Sequence, residues 1–104
     1  PVTRFTITMY YVYILHSLKD HQLYTGYTSD LKKRLREHNN GYNLSTKQRR
    51  PLKLVYYEAS EVGEDCQALE KYLKSGKGKK YLGKRLRRFL AKQRSGFAPL
   101  TGSP

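Results

Sequence analysis

Two tyrosine-rich runs, Tyr10-Tyr11-Val12-Tyr13-Ile14-Leu15 and Leu23-Tyr24-Thr25-Gly26-Tyr27-Thr28, decide how this chain begins to fold. Both are built from residues that suit a pleated, half-buried surface, and the turn-prone Lys19-Asp20-His21 lies between them. They read as a β-hairpin, although composition alone does not set its register. Gly26 inside the second run costs stability, so it marks either an ordinary bulge or a place where a backbone or a ligand comes close.

Outward from the hairpin, Thr28, Ser29 or Asp30 can cap a helix that starts at once. Leu31 and Leu35 set its apolar stripe, Arg34 and His38 border that stripe four residues apart, and Lys32, Lys33, Arg36 and Glu37 face away. Asn39-Asn40-Gly41 ends the helix. A polar, basic loop over residues 42–50 closes at Pro51, and residues 52–57 read as a third strand. A second helix opens at Gly63-Glu64-Asp65, with Cys66, Leu69 and Leu73 on its apolar face and Glu70 at the edge of that face. Gly76 and Gly78 are expected to break it, and a third helix over residues 79–92 to bury Leu82, Leu86, Phe89 and Leu90. The order is β-β-α-β-α-α, an α+β fold with a three-stranded antiparallel sheet flanked by helices. The expected domains are residues 1–8 as an extension or expression remnant, 9–93 as the folded domain, and 94–104 as a flexible tail.

The 104 residues carry a formal charge of +13 and a pI near 10.0. Residues 1–70 hold 10 Lys/Arg against 8 Asp/Glu, whereas residues 71–104 hold 11 Lys/Arg and no acid. So much unopposed charge calls for a polyanion, DNA first, with RNA left open. Candidate nucleic-acid contacts are Lys47, Arg49, Arg50, Lys74, Lys77, Lys79 and Lys80. No apolar run approaches a membrane span, and a basic membrane-surface protein is disfavoured because the chain has no Trp anchor. The single cysteine, Cys66, forms no internal disulfide and has no zinc-type partner, which fits a reducing, cytoplasmic setting.

Each motif has a plain structural reading beside the chemical one. Tyr10, Tyr56 and Tyr57 are ordinary strand tyrosines, and Arg34 with His38 taken alone is more simply a packed helical pair. Glu70 with Lys74 makes an i,i+4 pair worth ~0.3–0.5 kcal/mol. His16 and His21 lie in or beside the hairpin turn and read as surface residues. Residues 75–80, Ser-Gly-Lys-Gly-Lys-Lys, lack the spacing of a nucleotide-triphosphate loop.

In combination the residues resemble the GIY-YIG nuclease family in its small free-standing bacterial form, related to the N-terminal nuclease domain of the repair protein UvrC. Tyr11-Val12-Tyr13 and Tyr24-Thr25-Gly26 look like the two half-motifs. Arg34 follows Gly26 by eight residues, His38 comes one turn later, and Leu69-Glu70-Lys71-Tyr72 looks like the helix of the metal-binding glutamate. Any one motif is weak, but together and in order they are specific. Tyr11 stands where the family has glycine, and no asparagine follows Glu70, where many members carry one.

The resemblance implies a metal-dependent endonuclease acting on DNA, single-stranded or branched, in repair or DNA processing. Glu70 would bind one Mg²⁺ or Mn²⁺, Arg34 would hold the phosphate, and Tyr13 would orient or deprotonate the attacking water. Tyr24 would position the phosphate or the water, His38 would assist Tyr13, and Gly26 would support the site. The absent asparagine favours a rival, the same fold binding nucleic acid without cutting it.

Overall fold

Six successive buried residues, Val12 to Ser17, place the first strand in the middle of the sheet, because only a central strand has both faces covered. The computed structural model describes residues 8–93, so the expected tail 94–104 and nearly all of the expected extension 1–8 lie outside the described residues. Strand β1 (Tyr10–Ser17) pairs antiparallel with β2 (Leu23–Thr28) on one side and β3 (Leu52–Ser60) on the other, giving the order β2-β1-β3. The hairpin register sets Tyr13 opposite Gly26 and Leu15 opposite Tyr24. A register shift between Ile14 and Leu15 interrupts the β1–β3 ladder.

Helix α1 (Leu31–Asn39) starts where Asp30 accepts a hydrogen bond from the Lys33 amide, a cap worth about 1 kcal/mol. It ends through Asn40 and Gly41, the latter at φ 81°, in the left-handed region that favours glycine. Leu31 and Leu35 pack with Tyr24 and Leu54 against a core of Tyr13, Leu15 and Leu52. Asn39 fastens the helix end to β3, donating to the Leu52 carbonyl at 2.9 Å and accepting from the Leu52 amide at 2.8 Å.

The hairpin turn and the loop after α1 are tied by one buried hydroxyl. Ser17 Oγ accepts from the amides of Lys19 (3.1 Å) and Asp20 (3.0 Å) and donates to the Arg49 carbonyl (2.6 Å). A short 3₁₀ turn, Lys47–Arg49, is held there further by an ion pair between Arg49 and Asp20 at 2.9 Å.

The chain divides into two compact units, residues 1–71 and 72–104, and helix α2 (Gly63–Lys74) runs through the division. In the first unit, Cys66 near the start of α2 donates its thiol to the Tyr10 carbonyl. In the second, α3 (Gly76–Arg85) begins earlier than expected, because Ser75 caps it by accepting from the Gly78 amide at 3.1 Å. The glycines expected to break the helix form its first turn. A Cβ at Gly78 would overlap the Tyr72 carbonyl, so glycine is what lets the chain turn this sharply. The single helix expected over 79–92 is divided at Leu86, and residues 87–93 are helical again. Leu82 and Leu86 are buried as expected, while Phe89 and Leu90 are only half-buried. Among the described residues, no helix is long and apolar enough to cross a membrane.

Candidate active site

Tyr13 points from the central strand toward α1, and its ring lies over the Gly26 backbone of the neighbouring strand. A Cβ on Gly26 would overlap the hydroxyl end of that ring. The close approach expected at Gly26 is thus made by the Tyr13 side chain, not by a backbone or a ligand. The strand pairing of Tyr13 with Gly26 makes the two half-motifs one packing unit.

The last turn of α1 brings His38 under this ring. Its Nε2 lies 2.8 Å from the Tyr13 hydroxyl, and its Nδ1 lies 2.6 Å from Thr46 Oγ1. Tyr13, His38 and Thr46 are all 0 % exposed, so this chain of three groups is sealed from bulk water. The Tyr24 ring meets His38 edge-on with centroids 5.2 Å apart, and lies 6.4 Å from Tyr13. Arg34 is 36 % exposed and reaches outward; its Nε pairs with Glu37 at 3.1 Å, and Nη1 donates to the Tyr27 carbonyl at 3.4 Å.

The Arg34 guanidinium lies close enough to the Tyr13 phenol to lower its pKa, against the larger effect of burial. His38 links a phenol and a threonine hydroxyl, each able to donate or accept, so one ring nitrogen donates and the other accepts while the imidazole is neutral. Electrostatics agree with this neutral pair. Burial pushes the Tyr13 phenol up to about 12, opposed by Arg34 and reinforced by Tyr24 and Glu70. Burial, and then the Arg34 charge, lower His38 below its usual 6.5. Burial pulls the Arg34 guanidinium down, but its bonds and charge contacts with Tyr13 and Glu37 outweigh that and leave it raised.

Glu70 is half-buried on α2, and its charge is felt at the Tyr13 phenol. The first unit therefore brings Tyr13, Tyr24, Gly26, Arg34 and His38 together, with Glu70 within electrostatic reach of the Tyr13 phenol. No group of three His, Cys, Asp or Glu residues suited to a metal occurs among the described residues. A lone carboxylate fits a hard cation that keeps most of its waters, and does not fit an all-protein cage.

The basic candidates separate. Lys47 and Arg50 converge with Lys19, Asn39, Gln48 and Pro51 on an open cleft of about 520 Å³. Arg49 faces inward instead, bound to Asp20 and to the Leu23 carbonyl. Lys74, Lys77, Lys79 and Lys80 are exposed on the second unit. Sequence reasoning passed over Thr46 and Lys19, which sit in irregular segments without periodicity. It also misplaced His16, which is 2 % exposed because β1 runs two residues further than expected. His21 is exposed, at φ 60° in the turn.

A family model described as the GIY-YIG catalytic domain matches residues 9–85. A UPF0213 protein of Clostridium perfringens is 49 % identical over 67 residues, covering 64 % of this chain and 71 % of that one. A UPF0213 protein of Streptococcus pyogenes is 44 % identical over 68 residues, covering 64 % and 73 %. The solution NMR structure of a UPF0213 protein from Bacillus halodurans is 36 % identical, covers 71 % of this chain and 81 % of its own, and superposes with a TM-score of 0.45.

Proposed function

This chain belongs to the GIY-YIG catalytic-domain family, and on that premise we propose that it is a divalent-metal-dependent endonuclease that hydrolyses phosphodiester bonds in DNA. The observation that carries this reading is the sealed Tyr13–His38–Thr46 chain with Arg34 and Glu70 beside it. A packed core has no use for a buried phenol–imidazole–hydroxyl chain beside a solvent-reaching guanidinium, whereas phosphoryl chemistry uses each.

The scissile phosphate docks on Arg34, the site's solvent-reaching cation, displacing the Glu37 carboxylate that pairs with it. Substrate docking opens a path for water to the Tyr13 hydroxyl, which passes its proton to His38 Nε2 and takes one from that water. With the phenol near 12 and His38 below 6.5 this transfer is uphill, and the positive charge of Arg34 and of a bound cation would offset it. The imidazolium that forms keeps its Nδ1 proton on Thr46. The water oxygen then bonds to phosphorus as the bond to the 3′-oxygen breaks, while Arg34 meets the charge building on the non-bridging oxygens. Mg²⁺ or Mn²⁺ held at Glu70 would polarise the phosphate and stabilise the leaving oxygen. Tyr24 borders the site and positions the phosphate or the water. Lys19, Lys47 and Arg50 track the strand along their cleft. DNA repair or processing is the matching biological task.

The test is cleavage of labelled single-stranded, duplex and branched DNA with Mg²⁺, Mn²⁺ or EDTA. The wild-type protein should cut only with metal, and Glu70→Ala should not cut. Tyr13→Phe should lose about 10²–10⁴-fold in rate. Full activity in Glu70→Ala would sink the scheme. Binding without cleavage on every substrate would favour the rival, a non-catalytic module, to which the absence of asparagine after Glu70 also points.

A further inference from the structure

We infer that the second unit carries a stacking platform for unpaired nucleotides, formed by the Tyr72 and Tyr81 rings and the lysines around them. The two rings are 45 % and 40 % exposed and touch each other, with centroids 6.4 Å apart and planes tilted by 54°. The backbone under the first ring is well tied. The Tyr72 carbonyl accepts from both the amide (2.9 Å) and the hydroxyl (2.6 Å) of Ser75, and Gly78 packs against it. Each tyrosine has only two side-chain torsions to fix when a base stacks on it, so little freedom is lost.

The surroundings identify the occupant. Lys77 and Lys84, four residues before and three after Tyr81, are exposed and flank its ring along α3. Residues 71–104 contain 11 Lys/Arg and no acid, so the partner is a polyanion. A duplex satisfies the lysines but keeps its bases stacked internally, leaving the two rings unused. A membrane surface would draw on an apolar helix face, yet Leu82 and Leu86 are buried. A single strand uses both features, with phosphates on lysines and bases on tyrosines. This inference shares with the nuclease reading only the premise that the partner is nucleic acid.

The experiment uses full-length protein carrying Glu70→Ala, in EDTA, with fluorescent oligothymidine and a duplex of equal length, titrated across salt. Anionic phospholipid vesicles form a third arm. Tyr72→Ala and Tyr81→Ala should each weaken oligothymidine binding by about 5- to 100-fold. The salt slope and the duplex affinity should stay unchanged, since neither variant removes a cation. Tyr72→Phe and Tyr81→Phe should bind as the parent does, and thermal melts should show that every variant folds. Alanine variants that bind oligothymidine like the parent would overturn the platform, as would equal losses on both DNAs. Ring-dependent binding to vesicles in place of oligothymidine would overturn it too. Cleavage by wild-type protein is scored separately, so a failure of the nuclease reading leaves this comparison intact.

Discussion

A threonine hydroxyl sits on the far side of His38 from the phenol. The proposed mechanism needs Nδ1 to donate to Thr46, which leaves Nε2 as the acceptor for Tyr13. Thr46→Val keeps the shape and strands a buried N–H, at a cost of about 1–3 kcal/mol in stability. It should also slow cleavage by about 10–100-fold, at the low end of what acid–base assistance contributes, with KM little changed. Thr46→Ser should restore the rate, and NMR of the imidazole nitrogens should show the Nδ1–H tautomer in the wild type and its loss in the valine variant. The pH dependence follows from the same pair. His38 has Tyr13, Tyr24, Arg34, Glu37 and Thr46 around it, and its folded pKa lies below 6.5. On acidification the unfolded chain therefore takes up the proton first. Stability is complete above pH 6.5 and declines below it, and the acid limb of the cleavage rate should likewise fall below 6.5. Tyr13 acts at the other end: its contribution is complete below pH 10 and is lost as pH rises through about 12. Melting temperature against pH checks both limbs. Helical spacing sets Arg34 and His38 at the edge of the apolar stripe, but it is the resemblance to a nuclease family that singles them out with Tyr13 as candidates. Thr46 is not legible, since its contact spans an irregular loop where no period operates.

Between elements, the hairpin and α1 form the site, and the turn-to-loop brace aims it. Gly26 is the tightest joint. Gly26→Ala drives a methyl into a buried ring held by its bond to His38, and overpacking of this kind costs about 1–3 kcal/mol. Urea unfolding should show that loss, and cleavage should fall with it because Tyr13 is displaced from His38. The sequence left Gly26 as either a bulge or a close approach by a backbone or a ligand, and deciding that required the register. Arg49 shows a similar limit: a cation in a basic loop reads as a phosphate contact, yet its partner is Asp20, 29 residues away in sequence. Arg49→Ala should therefore lower stability and leave the salt dependence of DNA binding unaltered. Lys47→Ala and Arg50→Ala should each reduce the salt slope by ~1. The helix boundary at Ser75 went unread because glycine's poor helix propensity outweighed the cap in a local reading.

Across the whole chain, chemistry and charge are apportioned unequally. The described catalytic candidates all fall before residue 72, in the part of the chain whose acids and bases nearly balance, while the excess charge falls after it. Composition alone exposes that asymmetry, and with it the expectation of a polyanionic partner. The exposed tyrosine pair needed the fold, because Tyr72 and Tyr81 are nine residues apart on different helices. The sealing of Tyr13 has one more consequence. A phenol-nitrating reagent in water should mark Tyr42, Tyr57, Tyr72 and Tyr81, which are 40–75 % exposed, long before Tyr13 at 0 %. Nitrotyrosine at position 13, followed by mass spectrometry, would then act as a clock for how often the first unit opens.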